Sequence, residues 1–361
     1  MWRNNKTDDL TVQINKVTVV INEQQEKIKK LEEENQQLRS LWNASSQRKT
    51  LLKEDFLKYT EEQKHRLWHM QYSYDNQLSS LTLENVEKRC SGNIQRLAGL
   101  KDIHKGKRCF IIGNGPSLRA EDLDKLQNEL TFAVNKITEI FPYTKWRPSY
   151  YMVSDPIFLN HINEWTSEII EKSCILMDSE FMKAIDEKYW EKIFWYYHNT
   201  RYSVIPEFSC NPDRMVYEGG SVLYIAVQFA VFMGITEIFL LGVDNNYKTK
   251  ILEDGRKVID FFEDNYFYKS NKQECQRLNL YCSSWMDFGE NKMKNGTYDL
   301  NDMWNTVAYH CSIHKVSVLN ATRGGSWKYF PGYPSKKLLT SQIEGNRKKD
   351  NRYECPKNKR N

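Results

Sequence analysis

Long hydrophobic runs are scarce in this 361-residue chain, whose mean hydropathy is −0.71. The longest apolar-rich stretch, Val222 to Val243, is interrupted by Gln228, Gly234, Thr236 and Glu237. It falls short of the roughly 20 mostly apolar residues that a membrane span needs. The N-terminus carries no apolar segment ending in a small-residue cleavage site, so no signal peptide is read and a cytoplasmic location is expected. C-x-x-C pairs are also absent. Cys90, Cys109, Cys174, Cys210, Cys275, Cys282, Cys311 and Cys355 are scattered, which points to reduced thiols and no bound metal. A basic excess is missing everywhere except the last residues. Gly345–Asn361 holds seven basic and two acidic residues, and therefore the whole net charge of +5. A neutral body excludes a nucleic-acid-binding face. The basic tail, assigned to 341–361, reads either as a solvated disordered tail or as a peripheral contact with anionic lipid at the inner membrane face.

What is present begins with a heptad. Ile14, Ile21, Ile28, Asn35 and Trp42 fall at position a, and Leu10, Val17, Gln24, Leu31 and Leu38 at d. β-branched residues at a with leucine at d favour two parallel strands, and one Asn at a fixes the register. A coiled coil over 1–46 that joins copies into a homo-oligomer is expected, against the alternative of one amphipathic helix on its own domain. Residues 47–100 read as a helical linker interrupted at Ser91-Gly92. Its aromatics Phe56, Tyr59, Trp68, Tyr72 and Tyr74 suggest packing against the body.

From Lys105 strands alternate with helices. Candidate strands are Arg108–Ile112, Leu130–Asn135, Ser149–Ser154, Ser173–Met177, Ile193–Tyr197, Glu237–Leu241 and Val316–Leu319. Candidate helices run from the Gly113–Ser117 turn through Leu126, from Gly220 to Met233 and from Leu300 to His314. This alternation predicts an α/β fold over 101–340: a Rossmann-like, mostly parallel sheet with helices on both faces. Ligands of such folds sit at the carboxyl ends of the strands. The Gly/Asn/Asp/Ser clusters all fall there.

Each cluster has two readings. Gly113-Asn114-Gly115-Pro116-Ser117 is a tight turn or a phosphate cradle at a helix start. It is not a Walker loop, and Leu118 replaces the last glycine of G-x-G-x-x-G. Asn135 and Asp155 are strand-end caps or groups that read a ligand. Gly219-Gly220-Ser221 is an ordinary N-cap or a source of free N–H groups. Asp244, with Asn245, Asn246 and Tyr247, forms a turn or meets sugar hydroxyls. Asn320, Thr322 and Arg323 end a further strand and stand as candidates for the sugar or acceptor pocket. His310 and His314 have the i, i+4 spacing of metal ligands, but no third ligand stands at recognisable spacing, and a structural role is expected.

Taken in order, IIGNGPSL, AVNKI, YYMVSDP, GGSVLYIAVQFAVFMGITEIFLLGVDNNY and VLNATRGGSWKYFP resemble the domain shared by 6-hydroxymethylpterin pyrophosphokinase-like proteins and motility-accessory-factor flagellin glycosyltransferases. More distantly, the chain is similar to bacterial lipooligosaccharide sialyltransferases. The resemblance covers about residues 105 to 335. It implies CMP-sugar-like donor contacts at Gly113, Asn114, Gly115, Ser117, Asn135, Gly220 and Ser221, and no metal or other cofactor. Those sialyltransferases use a histidine base downstream of the segment matching Gly242–Tyr247. Here no histidine lies between Asp244 and His310, and Tyr266, Tyr268 or Asp155 is the catalytic candidate. The expected function is glycosyl transfer from a nucleotide-sugar to a surface-glycan acceptor, as in polysaccharide biosynthesis. The alternatives are Mg²⁺- and ATP-dependent diphosphate transfer to a pterin-like alcohol, with Asp155 and Asp244 at the metal, or a non-catalytic scaffold.

Overall fold

The computed structural model describes residues 4–155, 159–200, 206–287, 292–293 and 300–324; the basic tail at 341–361 lies outside them. Its contacts divide the chain into Met1–Ser73 and Tyr74–Asn361.

The first unit is helical from Asn4 onward. Helix α1 spans Asn4–Arg89 without a break, so coiled-coil and linker segments are one element. No glycine or proline precedes Gly92, and the Lys-, Glu-, Gln- and Leu-rich composition favours helix throughout. Tyr59, Trp68, Tyr72 and Tyr74 are exposed. Trp68 stacks on Tyr72 one turn along, with ring centroids 5.2 Å apart. On the seam, Leu31 is exposed as well.

In the second unit, the end of α1 buries Asp75, Ser79, Leu83, Val86 and Cys90. These are spaced three or four residues apart and form one stripe. The helix stops at Gly92, whose φ of 82° is the left-handed conformation that ends helices. Helix α2 (Asn93–Ala98) follows. Its Asn93 is fully buried: Nδ2 donates to the carbonyl of Trp195, and Trp195 N donates to Asn93 Oδ1. One side chain thus satisfies an edge strand that would otherwise present unpaired backbone.

The body runs β1 (Arg108–Ile112), α3 (Ala120–Leu123), β2 (Thr131–Val134), β3 (Tyr150–Val153), α4 (Leu159–Lys172), β4 (Cys174–Asp178) and β5 (Ile193–Tyr196). Next come β6 (His198–Asn199), β7 (Val216–Tyr217), α5 (Val222–Phe232), β8 (Glu237–Leu241), β9 (Thr249–Ile251) and β10 (Lys257–Ile259). The described chain ends with α6 (Lys272–Trp285), β11 (Met286–Asp287), β12 (Lys292–Met293), α7 (Leu300–Ile313) and β13 (Ser317–Asn320). Seven strands form one parallel sheet in the order β13-β8-β1-β2-β3-β4-β5. The expected α/β architecture is therefore present. Helices α4 and α6 and the β9–β10 hairpin add to what the sequence reading placed.

Runs such as RCFII and TFAV are apolar on both sides because both faces are covered. Ile111, Met152 and Leu240 face a core with Tyr224, Phe229, Trp304 and Val307 from α5 and α7. Phe110, Tyr151 and Phe239 face another with Ile169 and Leu278 from α4 and α6. Helix α5 is apolar all round and buried, Gln228 apart. Gln228 is satisfied in place: Oε1 accepts from Ser209 N and Tyr217 N, while Nε2 donates to the carbonyls of Tyr217 and Tyr224.

Six cysteines, Cys90, Cys109, Cys210, Cys275, Cys282 and Cys311, are free thiols. No helix among the described residues is long and apolar enough to cross a membrane.

Candidate active site

From β1 the chain steps through β2, β3 and β4 to β5 on one side, then returns to β8 and β13 on the other. The loops after β1 and β8 therefore diverge at the carboxyl ends of adjacent strands. That is the topological switch point, where open α/β sheets leave a crevice. A cleft partly open to solvent lies there. Its walls include Asn114, Asn135, Ser221, Asp244, Tyr266 and Trp304.

The β1 turn is zipped onto the β8 turn. Gly113 N donates to the Leu241 carbonyl at 2.8 Å and Gly115 N to the Gly242 carbonyl at 2.8 Å. Ser117 Oγ donates to Asp244 Oδ2 at 2.8 Å, and Ser117 N points to the same oxygen at 3.4 Å. A Cβ on Gly113 would lie 2.6 Å from the Gly242 carbonyl oxygen, and one on Gly115 would lie 1.9 Å from Asp244 Oδ2. The close approach that these glycines permit is thus to the neighbouring loop. No helix opens here: α3 starts at Ala120 and has one turn. Of the turn's amides, those of Gly113, Gly115 and Ser117 already have partners, while Gly113–Pro116 still line the cleft.

Asn114 and Asn135 form the polar wall. Asn114 Nδ2 donates to the Val134 carbonyl at 3.0 Å, and its own carbonyl accepts from Phe267 N at 3.0 Å. Asn135 adopts φ 49°, a left-handed conformation that Asn tolerates, and its carbonyl accepts from Tyr151 Oη at 2.6 Å. Both Oδ1 atoms are buried without a hydrogen-bond partner. A buried acceptor left so costs about 1–3 kcal/mol, and a ligand donor would remove that cost.

The opposite wall starts with Gly219 (φ 57°) and Gly220 (φ 79°), which turn the chain into α5. Ser221 Oγ accepts from Leu223 N, and Ser221, Val222 and Leu223 line the cleft. Here a helix N-terminus does open into the site. Among the described residues, Asp244 is the one carboxylate on the walls, and neither Lys nor Arg lines them.

Tyr266 and Tyr268 stack at 5.2 Å, with Lys136 Nζ 4.6 Å from the centre of the Tyr268 ring. Lys136 is held by Glu274 at 2.9 Å. Burial pushes the phenols of Tyr266, Tyr268 and Tyr247 up from their ordinary value, and neighbouring negative charge adds to this, including that of Asp155 on Tyr266. Neutral phenols donate hydrogen bonds and do not accept protons. The raised phenols favour Tyr266 and Tyr268 as hydrogen-bond donors rather than as bases.

Other candidates stand outside the walls. Asp155 is half-buried, and its charge acts on Tyr266, Tyr281 and Cys282. Asn320 Oδ1 accepts from Thr322 N, and Thr322 Oγ1 accepts from Val243 N, so both brace the floor from beneath. Arg323 pairs with the buried Asp122 at 2.6 Å. These three residues do not reach the cleft. Sequence reasoning missed Asn265, Met303 and Trp304 on its walls. Asn265 shapes the loop by accepting from Lys248 N and donating to the Asp260 carbonyl.

Residues 81–250 match the family model described as 6-hydroxymethylpterin diphosphokinase MptE-like. The resemblance drawn from the sequence motifs includes this family, and the matched segment runs from the end of α1 past the β8 loop. No curated protein sequence matches the chain. Among solved structures it is similar to the MAf glycosyltransferase from Magnetospirillum magneticum AMB-1, at 11% identity and a TM-score of 0.38 over 70% of this chain. The alignment spans 41% of that protein's length. A mammalian sialyltransferase in complex with Gal-beta-1-3GalNAc-ortho-nitrophenol is similar at 12% identity, with a TM-score of 0.32 over 66% of this chain and 78% of that one.

Proposed function

We propose that the protein is a glycosyltransferase that holds a nucleotide-sugar donor in this cleft. One observation carries the reading: Asn114 and Asn135, whose side-chain oxygens are buried without a partner, line a cleft into which the α5 N-terminus also opens. The first feature calls for hydrogen-bond donors, such as a base amine or ribose hydroxyls. The second attracts an anion through the helix dipole and Val222 N, the amides of Ser221, Leu223 and Tyr224 being engaged within the turn. A nucleotide offers both.

In this reading an acceptor hydroxyl attacks the anomeric carbon. The new C–O bond forms as the bond to the nucleotide phosphate oxygen breaks, and the electron pair leaves on that phosphate. The α5 dipole, with Val222 N at its start, and the neutral Tyr266 and Tyr268 hydroxyls stabilise the departing charge. The acceptor proton passes to a carboxylate, Asp244 on the wall or Asp155 beside it. The α1 heptad would join copies of the chain, and the basic tail would meet anionic lipid near the acceptor. Light scattering on a variant lacking residues 1–46 tests the first point, since an unchanged mass would refute it.

A second reading, diphosphate transfer from ATP, is favoured by the description of the matching family model. It needs Mg²⁺ held by Asp155 and Asp244. A thermal-shift panel of CMP, CDP, UDP, GDP, AMP and ATP, with and without Mg²⁺, separates the two. Stabilisation by CMP, CDP, UDP or GDP without metal supports glycosyl transfer, because a ligand of the folded state raises stability. Stabilisation by ATP only with Mg²⁺ favours diphosphate transfer, and no shift at all removes both readings.

A further inference from the structure

A cluster remote in sequence from the cleft motifs remains unused. The thiol of Cys210 and the imidazoles of His310 and His314 offer one ligand atom each, all within 4.8 Å of one another. The two histidines are one turn apart at the end of α7, where His314 N still donates to the His310 carbonyl. Cys210 arrives from the segment ahead of β7. Its neighbours fix it there: Ser209 N donates to the buried Gln228, and Asn211 N donates to Ser209 Oγ. Cys210 Sγ and His314 Nε2 are already 3.1 Å apart. The His310 ring lies flat against Phe208, with centroids 4.6 Å apart and an interplanar angle of 10°, so its orientation is set before any ion arrives.

We propose that Cys210, His310 and His314 form a zinc site. One thiolate and two imidazoles are a donor set that borderline-soft Zn²⁺ prefers, whereas Mg²⁺ and Ca²⁺ take oxygen. Tetrahedral bonds of about 2.3 Å to sulfur and 2.0 Å to nitrogen put ligand atoms about 3.3–3.6 Å apart, close to the spacing already present. On binding, the thiol proton leaves to solvent and the sulfur–imidazole hydrogen bond gives way to two metal–ligand bonds. Cys210 and His310 are half-buried and His314 is exposed, so the ion has an entry path and a fourth position for water.

The site clamps two elements that both reach the cleft. Helix α7 carries Met303 and Trp304 on the cleft wall, and the Cys210 segment leads through β7 to Gly219–Ser221. Zinc would thus hold the α5 entry against α7. This holds whatever nucleotide the cleft accepts.

The test is a Co²⁺ titration of the full chain without an affinity tag. The expected result is one equivalent of tetrahedral cobalt with a thiolate-to-cobalt charge-transfer band, displaced by Zn²⁺. Cys210→Ser removes that band and weakens Zn²⁺ binding at least about tenfold, since even changes behind the ligands cost 10–100-fold. His314→Ala, at an exposed position, weakens binding comparably. With chelator present, both variants melt with the parent, which separates ligand loss from misfolding. A charge-transfer band that survives Cys210→Ser, or a folded parent that gives no tetrahedral cobalt spectrum, overturns the proposal.

Discussion

Two glycine clusters border the cleft, Gly113–Ser117 and Gly219–Ser221, and in the sequence they look alike. Each has two glycines and a serine beside an apolar run, RCFII before the first and VLYIAVQFAVF after the second. Folded, they do different work. The first keeps ordinary backbone angles and uses its missing Cβ atoms to lie against the β8 loop, with Ser117 bound to Asp244. The second takes left-handed φ at both glycines, and its serine caps an eleven-residue helix whose start faces the cleft. Glycine spacing thus reports that something comes close or that the chain turns. What comes close is decided by residues more than a hundred positions away.

The largest effect expected from this contrast is that of Gly115→Ala. The added methyl meets a backbone carbonyl oxygen, Gly242 O, at 2.8 Å as well as Asp244 Oδ2. Backbone must shift, and a loss of about 3 kcal/mol in urea unfolding is expected, the scale of overpacking a tight core. Gly255→Ala is the control, because a Cβ there meets nothing within 4 Å. Its φ of +84° alone should cost about 1 kcal/mol. Equal losses at both positions would mean that the two loops are not in contact.

Next comes Gln228→Leu, which undoes the fastening ahead of the second cluster. It leaves Ser209 N and Tyr217 N unpaired inside the core. A loss of about 2–3 kcal/mol is expected, read by thermal unfolding. An unchanged midpoint would show that the 209–217 segment is anchored by other means.

The strands were legible because burial on both sheet faces writes itself as continuous apolar runs. Arg108–Ile112 and Glu237–Leu241 match their expected bounds residue for residue. Helix α5 was legible for the same reason, and Gln228 marked it as a core helix and not a membrane span. The helix expected from the Gly113–Ser117 turn was not, since partners for the turn's N–H groups come from β8. Aromatic content does not tell which side of α1 is covered. The buried stripe of α1 instead carries Asp75 and Ser79, two polar residues that hydropathy would not select. Trp304 and Cys210 carry no local signal at all. Their roles arise only when α7 packs beside α5 and the segment ahead of β7.

The two serines give a finer comparison. Ser221→Ala removes a helix cap, at about 1 kcal/mol of stability. On the proposed phosphate site it should also weaken nucleotide binding about tenfold, the value of one hydrogen bond to a charged group. Ser117→Ala should cost a similar amount of stability but change nucleotide affinity less than about twofold, since its hydroxyl is already engaged by Asp244. Isothermal titration of both variants decides it. Equal affinity losses would restore the first cluster as a phosphate site.

The smallest effect concerns the tyrosine wall. Burial raises the Tyr266 phenol in the folded chain, while the unfolded side chain ionises near pH 10. The stability that this group contributes is therefore complete below about pH 10 and falls as pH rises beyond it, because only the unfolded state then releases the proton. Tyr266→Phe has no proton to release. Between pH 8 and pH 10 its unfolding free energy should fall by about 0.4 kcal/mol less than that of the parent, measured by urea titration at both pH values. The same substitution bears on chemistry. A tyrosine base would impose a rate that climbs towards pH 10 and vanishes in the Phe variant, whereas a neutral donor leaves the pH profile's shape in place and lowers its height. A profile that loses its alkaline limb in Tyr266→Phe would return the proton-accepting role to the phenol and take it from Asp244 and Asp155.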